Sequence, residues 1–285
     1  MSRKIILSAD GTCDIGEELI KKYSVRIFNF HIQVGDKSYV DKIEITPDEL
    51  YSAWRRDGIL PKTAAITPGD YMTFFRGWVA DGYEIVHINL GSGLSSAHQN
   101  CKIVADELGS VYPVDSRSLS SGSGLLVCKA AEMIAQGLPA AEIQARLMAL
   151  TENISATFIL DTLEFMAAGG RCSNIMAIGA NLLKLKPCIQ VLKEKNGAMK
   201  SGKKYRGAME KVLAEYVKDQ LCGRDDLDLS RIFITSSGSP AGDFELVQSE
   251  IKKYADFKET HITTASGTIS SHCGPRTMGV LFMTD

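Results

Sequence analysis

The sequence predicts an α/β protein with a doubly wound parallel-sheet N-terminal domain and an α+β C-terminal domain built on a mixed sheet. From Lys4 to about residue 150, apolar strand segments alternate with helical segments, which is typical of a parallel sheet covered on both faces. Later in the chain, Asn196-Gly197 separates two strand segments and favours a hairpin. The length of 285 residues suffices for two cores. The predicted domains are 1–150 and 151–285.

Charge and composition exclude several classes of partner. Lys and Arg number 32 against 34 Asp and Glu, so no general basic surface is available for nucleic acid or anionic lipid headgroups. The apolar run at the start stops at Asp10, too short for a signal peptide, and Cys172–Leu183 is too short for a membrane span of about 20 residues. We therefore expect a cytoplasmic protein without a transmembrane segment.

Seven cysteines are present, without a C-x-x-C pair or a histidine at zinc-finger spacing. This pattern indicates neither a metal site nor a disulfide framework. We expect reduced, mostly buried thiols and no cofactor.

The elements of the first half follow from apolar periodicity and from capping residues. Thr-Pro pairs at residues 46 and 67 start two helices, and Ser120 begins another. A brief extended segment contains Thr63. The predicted elements are strands Lys4–Ala9, Val25–Val34, Ser38–Val40, Ile85–Leu90 and Val111–Val114, and helices Ile15–Lys22, Thr46–Gly58, one from Thr67, one after Ser95, Ser120–Gln136 and Pro139–Leu150.

The stretch Glu84–Asn100 carries the first ligand-site pattern, because a buried strand enters a Gly91-Ser92-Gly93 turn and then a helix. Glycines there would let a ligand approach the backbone. Ser95 or Ser96 would cap the helix, whose unpaired N–H groups attract a carboxylate or phosphate. A plain N-cap after a strand is the alternative interpretation.

The second half is predicted as a mixed sheet covered by helices. Its predicted strands are Ile154–Leu160, Lys186–Glu194, Ala198–Lys200, Arg231–Thr235, Phe257–Thr263 and Met278–Met283, and its predicted helices are Leu163–Ala168, Asn174–Leu183, Ala208–Gln220 and Asp243–Tyr254. Two polar residues flanked by glycine stand out in it. Arg171 follows Gly169-Gly170, and His272 lies in a predicted loop before the last strand. Taken singly, each fits a structural role.

Together, motifs along the whole chain resemble those of the DegV proteins, bacterial fatty-acid-binding proteins. Their order and spacing together are hard to reach by chance. They are Asp10-x-Thr-x-Asp14, Leu60-Pro-x-Thr63, Gly93-Leu-Ser95, Val114-Asp-Ser116, Gly169-Gly-Arg171-x-Ser173, Leu185-Lys-Pro187, Arg206-Gly207 and His272-x-Gly274.

The resemblance implies a carrier that buries one long-chain fatty acid, such as palmitate, between its two domains. It also implies that Thr63 and Ser95 hold the carboxylate, with Arg171 and His272 near the head group. Some members of the family present the acid to a separate fatty acid kinase subunit that phosphorylates it. The carrier itself would have no catalytic residue and no nucleotide site.

The chain departs from the family pattern at five positions, one of which is Ile66, where the family usually has Pro. Ala64 and Ala65 stand where the family usually has Ser and Gln, and Ser96 and Ala97 stand where it usually has Gly and Thr. Hydroxyl and amide groups are therefore lost beside the carboxylate. Either the head group lies differently or Ser96, with Ser92 as a further candidate, supplies a bond.

Two other functions remain open. Gly93-Leu-Ser95-Ser-Ala97 is close to the G-x-S-x-G elbow of esterases, with His272 as base, but Ala97 replaces the second glycine. Gly91-x-Gly93 and Ser92 could instead hold a nucleotide or another small anion, although the full G-x-G-x-x-G is absent.

Overall fold

The computed structural model describes residues 4–172 and 185–285. The helix expected over Asn174–Leu183, and Ser173 of the glycine-arginine motif, lie outside the described residues. Among the described residues, no helix is both long and apolar enough to span a membrane.

The strands agree with the sequence prediction in number and order for most of the chain. In chain order they are β1 (Ile5–Asp10), β2 (Arg26–Phe28), β3 (His31–Val34), β4 (Lys37–Val40), β5 (Lys62–Ala64), β6 (Glu84–Asn89), β7 (Val111–Asp115), β8 (Ile154–Ile159), β9 (Leu185–Leu192), β10 (Ala198–Arg206), β11 (Leu227–Ser237), β12 (Glu259–Thr264) and β13 (Thr277–Thr284).

The helices connect these strands. They are α1 (Gly16–Lys22), α2 (Pro47–Asp57), α3 (Pro68–Ala80), α4 (Ala97–Leu108), α5 (Ser121–Ala135), α6 (Ala140–Leu150), α7 (Glu164–Gly169), α8 (Met209–Leu221), α9 (Ala241–Ile251) and α10 (Gly267–Cys273). Thr46 and Thr67 form capping boxes at the starts of α2 and α3, as the two Thr-Pro pairs predict.

The first large sheet is parallel, with strand order β2-β1-β6-β7. Its side chains alternate between two cores, because neighbouring residues of a strand point to opposite faces. Ile85 packs in the cluster that contains residues of α3 and α4, whereas Val86 and Ile88 pack in the cluster that contains residues of α5 and α6. The doubly wound arrangement is confirmed.

The second large sheet has strand order β10-β9-β8-β13-β11-β12 and is mixed, since only β11 and β12 pair in parallel. The hairpin of β9 and β10 turns at Asn196 and Gly197, whose φ angles are 55° and 90°. One face of the sheet packs against α8 and α9. The other face, including Phe233 and Leu281, packs against α5.

The prediction of one strand over Val25–Val34 is wrong. The chain leaves the parallel sheet after Phe28, and β3 pairs instead with β4 and β5 in a small antiparallel sheet. Phe30 lies at the break and is only 2% exposed. A continuous apolar run does not reveal this change of sheet, because buried turn residues and strand residues have the same polarity.

We expect Gly124→Ala to destabilise the protein, although alanine normally favours a helix. A Cβ at Gly124 in α5 would lie 2.5 Å from Ile15 Cγ2 and 2.6 Å from the Cys13 carbonyl oxygen. Overpacking of this kind costs about 1–3 kcal/mol in the free energy of unfolding, which urea titration measures. Gly242→Ala in α9 is the matched control, since its Cβ would meet no atom within 4 Å. Equal stability of the two variants would contradict the tight packing.

Candidate functional site

A cavity lies between the inner face of the six-stranded sheet and the carboxyl ends of the parallel strands. It holds about 980 Å³ of space free of protein atoms, its opening to solvent included. Most of its wall is apolar, as in small-molecule sites generally. The apolar side chains are Phe30, Leu90, Leu94, Leu119, Phe158, Met166, Met199, Ile269, Cys273 and Leu281.

Thr63, Ser95, Arg171 and His272 all line this cavity, and Ser96 lies beside them. Thr63 is on β5, both serines directly precede α4, and Arg171 follows α7. Arg171 and Ser96 are exposed, whereas most of the apolar wall is buried. The structure thus brings the four residues from separate elements to one cavity, and we call the part of its wall around the exposed Ser96 and Arg171 the solvent end.

Thr63 and His272 are in direct contact, with 2.8 Å between Thr63 Oγ1 and His272 Nε2. His272 Nδ1 is buried and has no hydrogen-bond partner in the described part of the chain. The ring packs so closely on Gly169 that a Cβ there would lie 2.4 Å from Nδ1. Burial, helped by the positive charge of Arg171, lowers the pKa of His272 to about 4. His272 is therefore neutral at pH 7.

Ser95 and Ser96 present hydrogen-bond donors at the start of α4. Ser95 Oγ accepts the N–H of Ala97 at 3.2 Å, which leaves its own proton available. Ser96 occupies the N-cap position without a side-chain bond to the helix. Within residues 4–172 and 185–285, the backbone N–H groups of Ser95 and Ser96 have no acceptor. Free donors at the positive end of a 12-residue helix favour an anion.

The other hydroxyl groups that line the cavity are engaged by the protein. Ser120 donates to Asp14, Ser237 to the Gly274 carbonyl, Thr268 to Asp41 and Thr277 to the Cys273 carbonyl, and Thr235 bonds both Ser121 and Thr263. The protons of the first four hydroxyl groups are therefore not free for a ligand, and the hydroxyl group of Thr235 has two partners within the protein. The available donors are therefore concentrated at Ser95, at Ser96 and at the bonded pair of Thr63 and His272, which has one proton left for a ligand.

Ser92 does not line the cavity. Its backbone N–H and hydroxyl both bond to Asp115, at 3.0 and 2.5 Å. The prediction that a ligand approaches the neighbouring glycines, Gly91 and Gly93, does not match their surroundings. A Cβ at Gly91 or Gly93 would lie 2.9 or 2.6 Å from carbonyl oxygens of the β9–β10 turn, at Asn196 and Lys195 respectively. The close neighbour of this loop is backbone of the same chain.

The prediction that His272 lies in a loop is wrong, because Gly267–Cys273 forms helix α10. Two buried carboxylates bind its N-terminus. Asp14 accepts the N–H of Ser266 at 2.9 Å, and Asp41 accepts those of Gly267 and Thr268 at 2.8 and 2.7 Å. These bonds satisfy donors that a helix start otherwise leaves unpaired.

Sequence reasoning missed this role of Asp14 and Asp41, both 1% exposed. Asp14 belongs to the first motif of the chain, but the helix that it caps is 252 residues away. Lys42, at 3.1 Å from Asp14 Oδ1, balances its charge. Local signals for α10 are weak, because it is short and rich in Ser, Thr and Gly. The acidic caps from distant segments supply what local propensity does not.

Comparisons with known proteins place the chain in one family. A model of uncharacterised DegV family proteins matches residues 4–285. A DegV domain-containing protein of Clostridium perfringens is 30% identical over 213 residues, which cover 74% of this chain and 75% of that protein. Another, from Clostridium acetobutylicum, is 28% identical over 98% of both chains. The resemblance predicted from the motifs is confirmed.

Solved structures show the same fold. A DegV family protein from Thermus thermophilus, described for its fatty acid binding, has a TM-score of 0.87 at 26% identity, covering 99% of this chain and 100% of that chain. A fatty acid binding DegV family protein from Streptococcus agalactiae has a TM-score of 0.84 at 22% identity, with full coverage of both chains. At that identity, the second likeness supports the fold alone.

We expect His272 to make the protein less stable as the pH falls from about 6.5 to 4. In this interval the unfolded chain binds a proton at residue 272 that the folded chain rejects, so stability rises with pH. Urea titration measures the free energy of unfolding at each pH. Between pH 6.5 and pH 5, this free energy should fall by about 1–2 kcal/mol less in His272→Gln than in the unmodified protein. The other four histidines are present in both the unmodified protein and the variant, so their contribution cancels in the comparison. Equal drops would mean that the pKa of His272 is not lowered.

Proposed function

We propose, from the premise that this chain belongs to the DegV family, that it binds one long-chain fatty acid in this cavity and acts as a lipid carrier. The observation that carries the proposal is the distribution of hydrogen-bond donors. In the described part of the chain, the hydroxyl groups of the cavity wall other than those of Thr63, Ser95 and Ser96 have partners within the protein, and most of the remaining wall is apolar. The Thermus thermophilus relative described for fatty acid binding supports it.

The apolar wall would supply most of the affinity. Burial of a methylene group gains about 0.8 kcal/mol, so the roughly 14 methylenes of a palmitate-like chain gain about 11 kcal/mol before entropic losses. Such a gain needs no specific bond along the chain. The polar end decides only the direction in which the acid lies.

A carboxylate needs donors, because removing it from water without them costs several kcal/mol. We propose that the hydroxyl groups of Thr63 and Ser95 and the backbone N–H groups of Ser95 and Ser96 supply them. His272 is neutral, so it contributes one hydrogen bond with Thr63 rather than a charge. Arg171, exposed at the same end, supplies the positive charge without being buried.

The substituted family positions fit this arrangement. Ala64 and Ala65 line the cavity, so their methyl groups replace polar ones near the head group. Ala97 is fully buried and packs in the core behind the loop. The exposed hydroxyl of Ser96 lies at the cavity instead. We propose that Ser96 supplies the bond that the family's other hydroxyl groups make.

We also propose that the carrier presents its carboxylate to a separate fatty acid kinase subunit. The cavity end near Ser96 and Arg171 is the exposed one, so a bound carboxylate would lie within reach of a partner. We propose further that the chain divides into domains 1–150 and 151–285, with the ligand between them. All seven cysteines are free thiols, which fits the reducing cytoplasm.

The esterase alternative lacks its catalytic geometry in the described residues. Ser95 bonds no histidine, and no acid orients His272. Ser8, His87 and Asp10 do form a hydrogen-bonded chain, but they are 0–1% exposed and do not line the cavity. For the nucleotide alternative, the Gly91–Gly93 loop is covered by the β9–β10 turn. Neither observation favours a second function.

Native mass spectrometry of protein purified from bacterial cells tests the proposal. We expect a retained mass that corresponds to one fatty acid, which delipidation removes and added palmitate restores. A retained nucleotide, or failure of the delipidated protein to bind palmitate and other long-chain acids, would contradict it.

Thr63→Val and Ser95→Ala should weaken binding of palmitate about 10- to 100-fold, since a hydrogen bond to a charged group contributes about 1.5–3 kcal/mol. Binding of methyl palmitate should change much less, because the ester carries no charge. Isothermal titration with both ligands measures the difference. Ser92→Ala is the control, since its hydroxyl bonds to Asp115 outside the cavity. Equal losses for acid and ester would exclude contact between these residues and the carboxylate.

A further inference from the structure

The turn of the β9–β10 hairpin, residues 193–197, packs against the loop that carries Ser95. The N–H of Gly93 donates to the Asn196 carbonyl at 2.8 Å, and the N–H of Leu94 donates to the Gly91 carbonyl at 2.9 Å. Ser95 follows directly. The position of its hydroxyl is therefore tied to the backbone of a turn about a hundred residues later in the chain.

There is no space between these two backbones. A Cβ at Gly93 would lie 2.6 Å from the Lys195 carbonyl oxygen and 2.9 Å from that of Asn196. A Cβ at Gly197, whose φ is 90°, would lie 3.0 Å from the Arg117 backbone. Glycine at position 93 thus lets the turn approach the loop of Ser95, and glycine at position 197 lets the same turn approach the backbone of Arg117. Close backbone packing therefore accounts for glycine at positions 91 and 93, and no ligand is needed to explain it.

The same hairpin also contacts the segment that carries Arg171. Met199, two residues after Gly197, lines the cavity and forms a β-bridge with Cys172, which follows Arg171. One hairpin therefore touches the loop of Ser95 and the segment of Arg171. Lys193 anchors the turn by donating to the Glu152 carbonyl.

We propose that the turn 193–197 is a positioning element for the carboxylate site, which holds Ser95 in place through the carbonyl of Asn196. This inference rests on the proposed function. It assigns the role to the backbone rather than to the Asn196 side chain. When the turn is displaced, the cavity keeps its apolar wall, but its hydrogen-bond donors are no longer aligned. The affinity for a fatty acid should therefore fall more than the affinity for its methyl ester.

Gly93→Ala tests the inference, because its methyl group must push the turn away. We expect palmitate to bind about tenfold more weakly, the effect of about one lost hydrogen bond, and methyl palmitate to bind within about twofold of the unmodified protein. Gly77→Ala is the control, an exposed helical glycine whose Cβ would meet nothing within 4 Å. Asn196→Gly keeps the carbonyl and the positive φ, and should bind both ligands normally.

The possible results are distinguishable. If the unmodified protein binds neither ligand, the fatty acid proposal and this inference both fail. If it binds palmitate and Gly93→Ala does so equally well, only the inference fails. Equal losses for acid and ester in Gly93→Ala would mean a collapsed cavity and would also overturn it.

Hydrogen exchange on the unmodified protein provides a second measurement that needs no variant. Because coupling between sites is reciprocal, the acid should slow exchange of the Gly93 amide, and the ester should slow it less. Equal protection by both ligands would overturn the inference, even if Gly93→Ala does not fold.

Discussion

In the function that we propose, a carboxylate leaves water and must find hydrogen-bond donors, and the distribution of polar groups around the cavity meets this requirement. The long acyl chain needs only apolar surface, because hydrophobic burial requires no directional bonds. The inner face of the mixed sheet contributes to that surface. Hydroxyl groups that face the cavity elsewhere are bonded within the protein, as Ser120 is to Asp14 and Thr268 is to Asp41. Among the described residues, a head group inserted in the opposite direction would meet hydroxyl groups that already have partners within the protein.

Donors at the solvent end are held by long-range contacts rather than by their own elements. The capping of α10 by Asp14 and Asp41 fixes the helix of His272, and His272 in turn contacts Thr63 on a small sheet. On the opposite side, the β9–β10 turn fixes the loop of Ser95. Each contact joins segments that are far apart in the chain. The geometry of the site therefore depends on the whole fold being formed.

Neutral His272 also fits a site that has to accept and release an anion. A buried imidazolium would bind a carboxylate strongly but would be costly to keep charged in the empty cavity. Burial instead lowers its pKa to about 4, and the positive charge is left to Arg171 at the surface. An exposed cation is solvated in both states, so it costs little when the cavity is empty.

Much of this protein could be predicted from local patterns. Apolar periodicity and capping residues predicted the strands and helices of both large sheets. The strand-turn-helix pattern indicated Ser95, and the family resemblance indicated Thr63, Arg171 and His272. The errors occurred where neighbours in space override local preference. Val25–Val34 divides between two sheets at the buried Phe30, and α10 forms because two distant aspartates cap it.

The sequence by itself determined the family, the fold class and the identities of the polar residues, because these depend on residue type and spacing along the chain. Tertiary structure alone decided which hydroxyl groups remain free, since this depends on acceptors such as Asp14 for Ser120 and Asp41 for Thr268, 106 and 227 residues away along the chain. It also decided that the Gly91–Gly93 loop meets a backbone turn, because a glycine leaves room for any close neighbour and does not specify which one.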